Sequence, residues 1–389
     1  MDHMSELARR AKVAAGIAAR YADDVDRESR FPHEAFEACK AERLLSAAIP
    51  IELGGRGAAL SEIAMICYLL SQRCSSTGLI FAMHQNQLAC AVRHALGSAW
   101  HDRLMRRAAQ GELLFASATS EVGIGGNIAS SRCAVERTGS QFVLIKDAPV
   151  ISYGDEADII LVTARKSDSS VESDQVLVAL EKGQFHLQRI STWDAMGMRG
   201  TCSHGYRISG KGDLQQILPT AFGEILACTL LPSAHILWSC VWLGIATDAV
   251  RRARSFLRQK SRKGNGDSLT AGTRLANLAR DLQLMRSYIS TILMRYSSQN
   301  RDRQDITSFS FTVGVSLLKV ATSQLSTTIV QQALEICGIA GYVNNSSVSL
   351  SRHLRDIYSA SLMVGNDRIS TSMSQVLMIH DIEDDSLSW

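Results

Sequence analysis

Phe142-Val143-Leu144-Ile145, Ile159-Ile160-Leu161-Val162-Thr163 and Val176-Leu177-Val178-Ala179-Leu180 are short apolar runs set between polar or glycine-containing turns, among them 166–174 and Glu181-Lys182-Gly183. Runs of this length and spacing predict strands. They fall in a block from Leu113 to about Ile217 that reads as a small antiparallel β-domain. On both sides the apolar period is helical. Residues 3–22 are alanine-rich, Pro32-His33-Glu34-Ala35-Phe36 opens a helix with proline near its first turn, and further helices are expected over about 61–73, 77–96 and 100–111. Beyond Pro219 the helical period returns and persists to about Asp381, with one basic, glycine-containing break at Lys260 to Asp267. The expected organisation is therefore α+β in three parts: an all-α domain over 1–112, a β-domain over 113–217 and an all-α domain over 218–389. Chains with separate helical and strand regions usually have one of each, so helices on both sides of a β-block are uncommon.

Bulk properties narrow the function. At 389 residues, 46% hydrophobic and 20% charged, the chain has the make-up of a folded enzyme of two or three domains. A net charge of +3 with dispersed basic residues gives no nucleic-acid footprint. Its 9 cysteines include no C-x-x-C pair, so no metal site is expected. Residues 1–20 alternate charge with alanine and lack a signal-type apolar core; with the cysteine pattern this predicts reduced thiols and a cytoplasmic protein. The longest apolar run, Ile225 to Leu243, is interrupted by Pro232, Ser233 and His235 and reads as a buried helix, not a membrane span.

Six segments then carry a resemblance. Pro50 to Gly57 is similar to a Pro-x-x-x-Gly-Gly-x-Gly loop, and Phe115 to Asn127 (FASATSEVGIGGN) to a Thr-Glu-Pro-Gly-Ala-Gly-Ser-Asp strand and loop. Val150-Ile151-Ser152 with Ala157-Asp158 resembles a Trp-Ile-Thr-Asn and Ala-Asp pair. Trp193 to Gly200 carries a Met-Gly-x-Arg loop, Cys337 to Tyr342 resembles a Gly-Gly-x-Gly-Tyr turn, and Arg355-Asp356 opens the sixth segment. In this order, and nearly end to end, they resemble the acyl-CoA dehydrogenase superfamily. The resemblance implies FAD, held between the β-domain and the C-terminal helices, and a homo-oligomer, a tetramer or a dimer.

By the same resemblance Thr119, Ser120, Ile151 and Ser152 border the flavin ring, where hydroxyl and N–H groups would tune the cofactor. The plainer reading of each polar one is a strand-end Ser or Thr bonded to backbone. The glycine loop Gly123 to Gly126 lacks the features of a phosphate loop or dinucleotide fingerprint. It reads as a turn bringing backbone to ligand, with Gly126 and Arg199 on the substrate side. Lys260, Arg262, Lys263 and Gly264 keep positive charge for a pyrophosphate, or form a surface basic patch. Gly338 and Gly341 would admit backbone close to the cofactor, and Asn366 could bond flavin or ribityl oxygens.

The departure lies in the sixth segment. Eight residues after Asp356 the family has Glu-Gly-Thr, whose glutamate removes the α-proton while the flavin takes the β-hydrogen as hydride. This chain has Val364-Gly365-Asn366. Some members place the base ten residues before the glycine of a Leu-Gly pair; with Leu243-Gly244 as anchor, that position is Ala234. His235, next to it, is a candidate base or substrate contact, or a satisfied core histidine. Asp367 is another candidate, or a helix cap or surface partner of Arg368. An acyl thioester α-C–H is weakly acidic and ordinarily needs a positioned carboxylate. Three expectations follow: an atypical dehydrogenase or oxygenase of an activated acyl thioester, on CoA or a carrier protein, with an electron acceptor or O2; a two-component flavin monooxygenase acting on an aromatic or amine; or a non-catalytic flavoprotein.

Overall fold

The computed structural model describes residues 3–262, 268–299 and 308–379. Lys263, Gly264, the rest of the break to Asp267 and the helix end expected near Asp381 lie outside the described residues. The first third is five helices: α1 (His3–Glu28), α2 (His33–Ala41), α3 (Leu60–Ser71), α4 (Ser75–His94) and α5 (Ala99–Gly111). α1 runs six residues beyond its alanine-rich stretch because Val25 still packs inward after Ala18 and Ala22, keeping helical spacing.

The middle holds seven strands: β1 (Phe115–Ala118), β2 (Glu136–Thr138), β3 (Gln141–Ile151), β4 (Ile159–Arg165), β5 (Gln175–Glu181), β6 (Phe185–Ser191) and β7 (His204–Asp213). They form two sheets, β1-β4-β5 and β2-β3-β7-β6. All pairings are antiparallel except one: β1 runs parallel to β4, with Phe115 opposite Ile159. The antiparallel expectation needs that correction. The segment between these two strands contains β2 and β3, which lie in the other sheet, so β1 and β4 are not a hairpin and are free to run the same way.

The last third contains α6 (Phe222–Ile225), a π turn over Leu226–Leu230, α7 (Leu231–Arg262), α8 (Ser268–Gln299), α9 (Phe309–Cys337) and four shorter helices, α10 (Ile339–Tyr342), α11 (Ser351–Ile357), α12 (Ser359–Leu362) and α13 (Asn366–Leu377). Pro232, with no N–H to donate, sits just after the π turn. α7 packs on α9, α3, α8 and α4. Helical spans 222–262 and 309–337 are long and apolar enough for a membrane by composition, but 72% and 56% of their apolar windows are buried inside the protein. Lys260 to Arg262 continue α7 instead of interrupting it.

One apolar core runs through all three parts, with Phe81, Phe142, Tyr153 and Trp242 among its buried members. Polar ties fix the parts to each other. His84, fully buried on α4, meets the Leu45 carbonyl with Nε2 at 2.9 Å and accepts from Phe115 N with Nδ1 at 3.0 Å. These two bonds require a neutral ring, and burial pushes its pKa down to about 4. The ring thus pins the start of β1 to the helical domain.

Candidate active site

β1 and β3 end beside each other. Ser120 Oγ donates to the Val150 carbonyl at 3.0 Å, and Val122 N to the Asp147 carbonyl at 2.9 Å. Thr119, Ser120 and Ser152 are each half-buried at this rim. Ser152 Oγ lies 2.8 Å from Ser203 Oγ, which lies 2.7 Å from Thr201 Oγ1, and Thr201 donates to the Met198 carbonyl at 2.8 Å. A chain of hydroxyls therefore leads from the rim into the Met198 loop. The Ser120 hydroxyl is thus spent on backbone, the plainer reading of a strand-end serine. The half-exposed Thr119 and Ser152 hydroxyls, at two adjacent strand ends, are of the kind that suits the polar edge of a flavin. Ile151 is fully buried, so its side chain belongs to the core and not to a ligand surface.

Below the rim sits a feature the sequence reading missed. Lys146, fully buried, donates to Thr163 O at 2.8 Å and Thr163 Oγ1 at 2.7 Å, and lies 3.5 Å from Glu121. Glu121 accepts from Ser131 Oγ at 2.7 Å and Cys133 N at 2.8 Å, closing the glycine loop on itself. Burial pushes the Lys146 amine down, and the Glu121 charge opposes that shift. The alternation Phe142, Leu144, Lys146, Ala148 along β3 already places this lysine on the inward face.

The glycine loop faces the Val364 segment. Arg368 on α13 donates to the Gly125 carbonyl, and a Cβ on Gly126 would lie 3.1 Å from its guanidinium. Gly126 is thus brought against the Arg368 side chain, from the helix turn that follows Val364. Asp367, in the first turn of α13, is exposed, and the pair expected between it and Arg368 is replaced by the bond to Gly125. Val364 is 42% exposed, with φ of 48°. Ala234 is buried on α7.

The other candidates are engaged by the protein itself or lie at its surface. His235 is buried, its Nδ1 lies 3.3 Å from the Val315 carbonyl, and burial, with the nearby Lys319 ammonium, pushes its pKa down to about 4. It is a satisfied core histidine. Arg199 donates from Nε to the Asp26 carbonyl at 2.7 Å and from Nη1 to Ala195 O at 3.0 Å, tying its loop to the end of α1. Gly341 is buried against Cys337, where a Cβ would come within 2.6 Å, so the close approach is to its own chain; Gly338 is exposed with φ of 56° and open space around it. Asn366 Oδ1 accepts from Lys319 Nζ at 2.7 Å, and its Nδ2 donates to Ser323 Oγ at 2.9 Å, so its polar atoms serve the protein. Lys260 and Arg262 are exposed at the end of α7.

Arg355 and Asp356 are structural too. Arg355 grips both Asp26 oxygens, one at 2.9 Å, and donates to Met196 O at 2.9 Å. Asp356, buried, accepts from Met198 N at 2.7 Å, and burial raises its pKa. A Cβ on Gly197 would lie 2.1 Å from the Arg355 carbonyl oxygen, so this contact needs glycine. Helix α1, the 193–200 loop and α11 meet in one joint.

Comparison with known proteins gives one answer. The family model of the acyl-CoA dehydrogenase N-terminal domain matches residues 4–112, and that of the C-terminal domain matches 226–376. Mitochondrial isovaleryl-CoA dehydrogenase of Solanum tuberosum is 22% identical over 347 residues, 87% of this chain and 81% of the relative. Cyclohex-1-ene-1-carbonyl-CoA dehydrogenase of Geobacter metallireducens is 23% identical over 358 residues, 89% of this chain and 90% of that one. Among solved structures, butyryl-CoA dehydrogenase from Megasphaera elsdenii superposes with a TM-score of 0.84 at 18% identity, covering 97% and 98% of the two chains. FMN-bound TdsC from Paenibacillus sp. A11-2, a dibenzothiophene monooxygenase, gives 0.86 at 17% identity, covering 98% and 99%. At such identity these structures speak for the fold alone.

Proposed function

The chain belongs to the acyl-CoA dehydrogenase family and is a FAD-dependent oxidoreductase, and from that premise we propose that it acts on an activated acyl thioester, on CoA or a carrier protein, without a carboxylate base. The observation that carries the reading is the pair of hydrocarbon side chains, Val364 and Ala234, at the two positions that the motif resemblance matches to the family's glutamate. A hydrocarbon accepts no proton, and His235, next to Ala234, is spent in the core. Loss of the base costs orders of magnitude in rate on a simple acyl group. A substrate whose α-C–H is already acidified by conjugation or a ring, or a reaction that oxygenates the thioester, avoids that cost.

Bound flavin supplies hydride acceptance and passes electrons to an acceptor protein or to O2. Thr119 and Ser152 would hold its polar edge, with the Ser203–Thr201 hydroxyls fixing Ser152 and the Ser120–Val150 bond fixing the strand ends. Gly126, with no side chain, would leave room for the thioester, and Arg368 would fix the height of that loop. Val364 would keep water from the reacting face. A second copy would cover the exposed Ile339, Tyr342 and Leu362. All nine cysteines are free thiols, which suits a reducing, cytoplasmic setting.

The second reading, a two-component monooxygenase on an aromatic or amine, draws on the same absence of a base. Visible spectra of the purified protein separate the readings. A yellow protein bleached under nitrogen by cyclohex-1-ene-1-carbonyl-CoA, and orders of magnitude more slowly by isovaleryl- or butyryl-CoA, supports the thioester reading, whereas rapid bleaching by the two simple acyl-CoAs would mean a base is present after all. A colourless protein that turns over an aromatic or amine only with added reduced flavin overturns it, and a yellow protein inert to all of these points to a flavoprotein without turnover.

A further inference from the structure

Val364 carries a β-branched side chain at a φ of 48°, a conformation such residues rarely adopt. The surroundings hold it there. Lys319 Nζ, on α9, donates to the Val364 carbonyl at 3.3 Å and to Asn366 Oδ1 at 2.7 Å. Ser323, one helical turn on, bonds both polar atoms of Asn366, at 3.2 Å and 2.9 Å. Lys319 has no exposed surface, and its head lies 5.8 Å from the centre of the Trp242 ring.

This ammonium has no carboxylate against it among the described residues. From α7 it faces the Trp242 ring and the neutral His235. From the turn it faces a carbonyl and an amide. Asp367 and Arg368 follow in the chain but are exposed, and Arg368 reaches the other way to Gly125. A buried charge without a counter-charge is unfavourable, and an apolar side chain would pack there at lower cost. Its two bonds converge on the turn that bears residue 364, the position matched by resemblance to the family's base.

We propose that Lys319 is a positioning residue: its ammonium clamps the 364–366 turn in its left-handed form and so fixes how residue 364 is presented over the site. The functional weight of this clamp rests on the reading of that turn as the former base position. The ammonium gives both bonds charge assistance, and a neutral amine would leave the turn more weakly held. Burial lowers the Lys319 amine to about 8, so mild alkali brings the change within reach.

Hydrogen–deuterium exchange of peptides covering 362–370 tests the clamp directly, on the purified full-length protein with its flavin. After correction for the intrinsic base dependence, exchange in the wild type should rise about tenfold between pH 6.5 and pH 9. In Lys319→Met it should be fast at both values, and in Lys319→Arg, which stays charged, slow at both. A corrected rate that is flat in the wild type, or a pH response that survives in Lys319→Met, overturns the proposal. If Lys319→Met does not fold, the wild-type and Lys319→Arg profiles decide alone. No thioester is needed, so a failure of the bleaching experiment leaves this test standing.

Discussion

Acid should loosen the joint between the helical domain and the β-domain through one ring. His84 is neutral in the fold, with Nε2 donating to Leu45 O and Nδ1 accepting from Phe115 N. Its pKa drops from 6.5 to about 4. The unfolded chain therefore binds this proton more tightly, and acid favours unfolding. The loss begins as pH falls through 6.5 and is complete near 4. At about 1.4 kcal/mol per pH unit the full effect is about 3 kcal/mol, of which about 2 kcal/mol is lost by pH 5. With an unfolding entropy near 2 cal/mol/K per residue, that corresponds to roughly 2–3 °C in a chain of this length. The comparison is between wild type and His84→Gln, which keeps a donor and an acceptor but cannot titrate. Melting would be followed by circular dichroism from pH 7.5 to pH 4.5. The wild type should lose about 2 °C more than the variant between pH 7 and pH 5. If the two curves fall in parallel, or if the His84 ring titrates near 6.5 by NMR, the reasoning fails.

Further outcomes follow from the same geometry. Val364→Glu restores a proton acceptor and replaces a β-branched residue at positive φ, so it should fold at least as well. It should desaturate simple acyl-CoAs at least about 100-fold faster than the wild type, read by dye reduction; a variant that binds FAD and acyl-CoA yet stays inert would mean the pocket differs beyond this residue. Gly197→Ala forces a Cβ to within 2.1 Å of the Arg355 carbonyl and should cost more than about 2 kcal/mol by denaturant unfolding, whereas Gly183→Ala, at a site with open space, should cost about 1 kcal/mol from its left-handed φ alone.

Much of the fold was legible because its signals are local. Runs such as Ile159 to Thr163 and the alanine spacing of α1 report period and burial directly. What escaped depends on partners distant in sequence. The parallel pairing of β1 and β4 follows from where the intervening β2 and β3 go, which no window of residues reveals. The site was half legible. Thr119, Ser120 and Ser152 lie half-buried at the ends of β1 and β3, tied by the Ser120–Val150 bond, and the glycine loop meets Arg368, four residues after Val364. Arg199 and His235, by contrast, are satisfied by the Asp26 and Val315 carbonyls, contacts that sequence alone does not show. The buried lysines could have been found: Lys146 falls on the inward register of β3, and Lys319 interrupts an apolar helix face beside Val315 and Leu318. A cation at a core position is a question the pattern itself asks.

The joint of Asp26 with Arg355 spans 329 residues. During synthesis, the first helix must therefore wait for almost the whole chain before it meets its partner. Until then the 193–200 loop lacks its floor. Closure of this joint is consequently a terminal event of biogenesis, and a polypeptide cut short before residue 355 would carry all the strands of the described residues yet never close it.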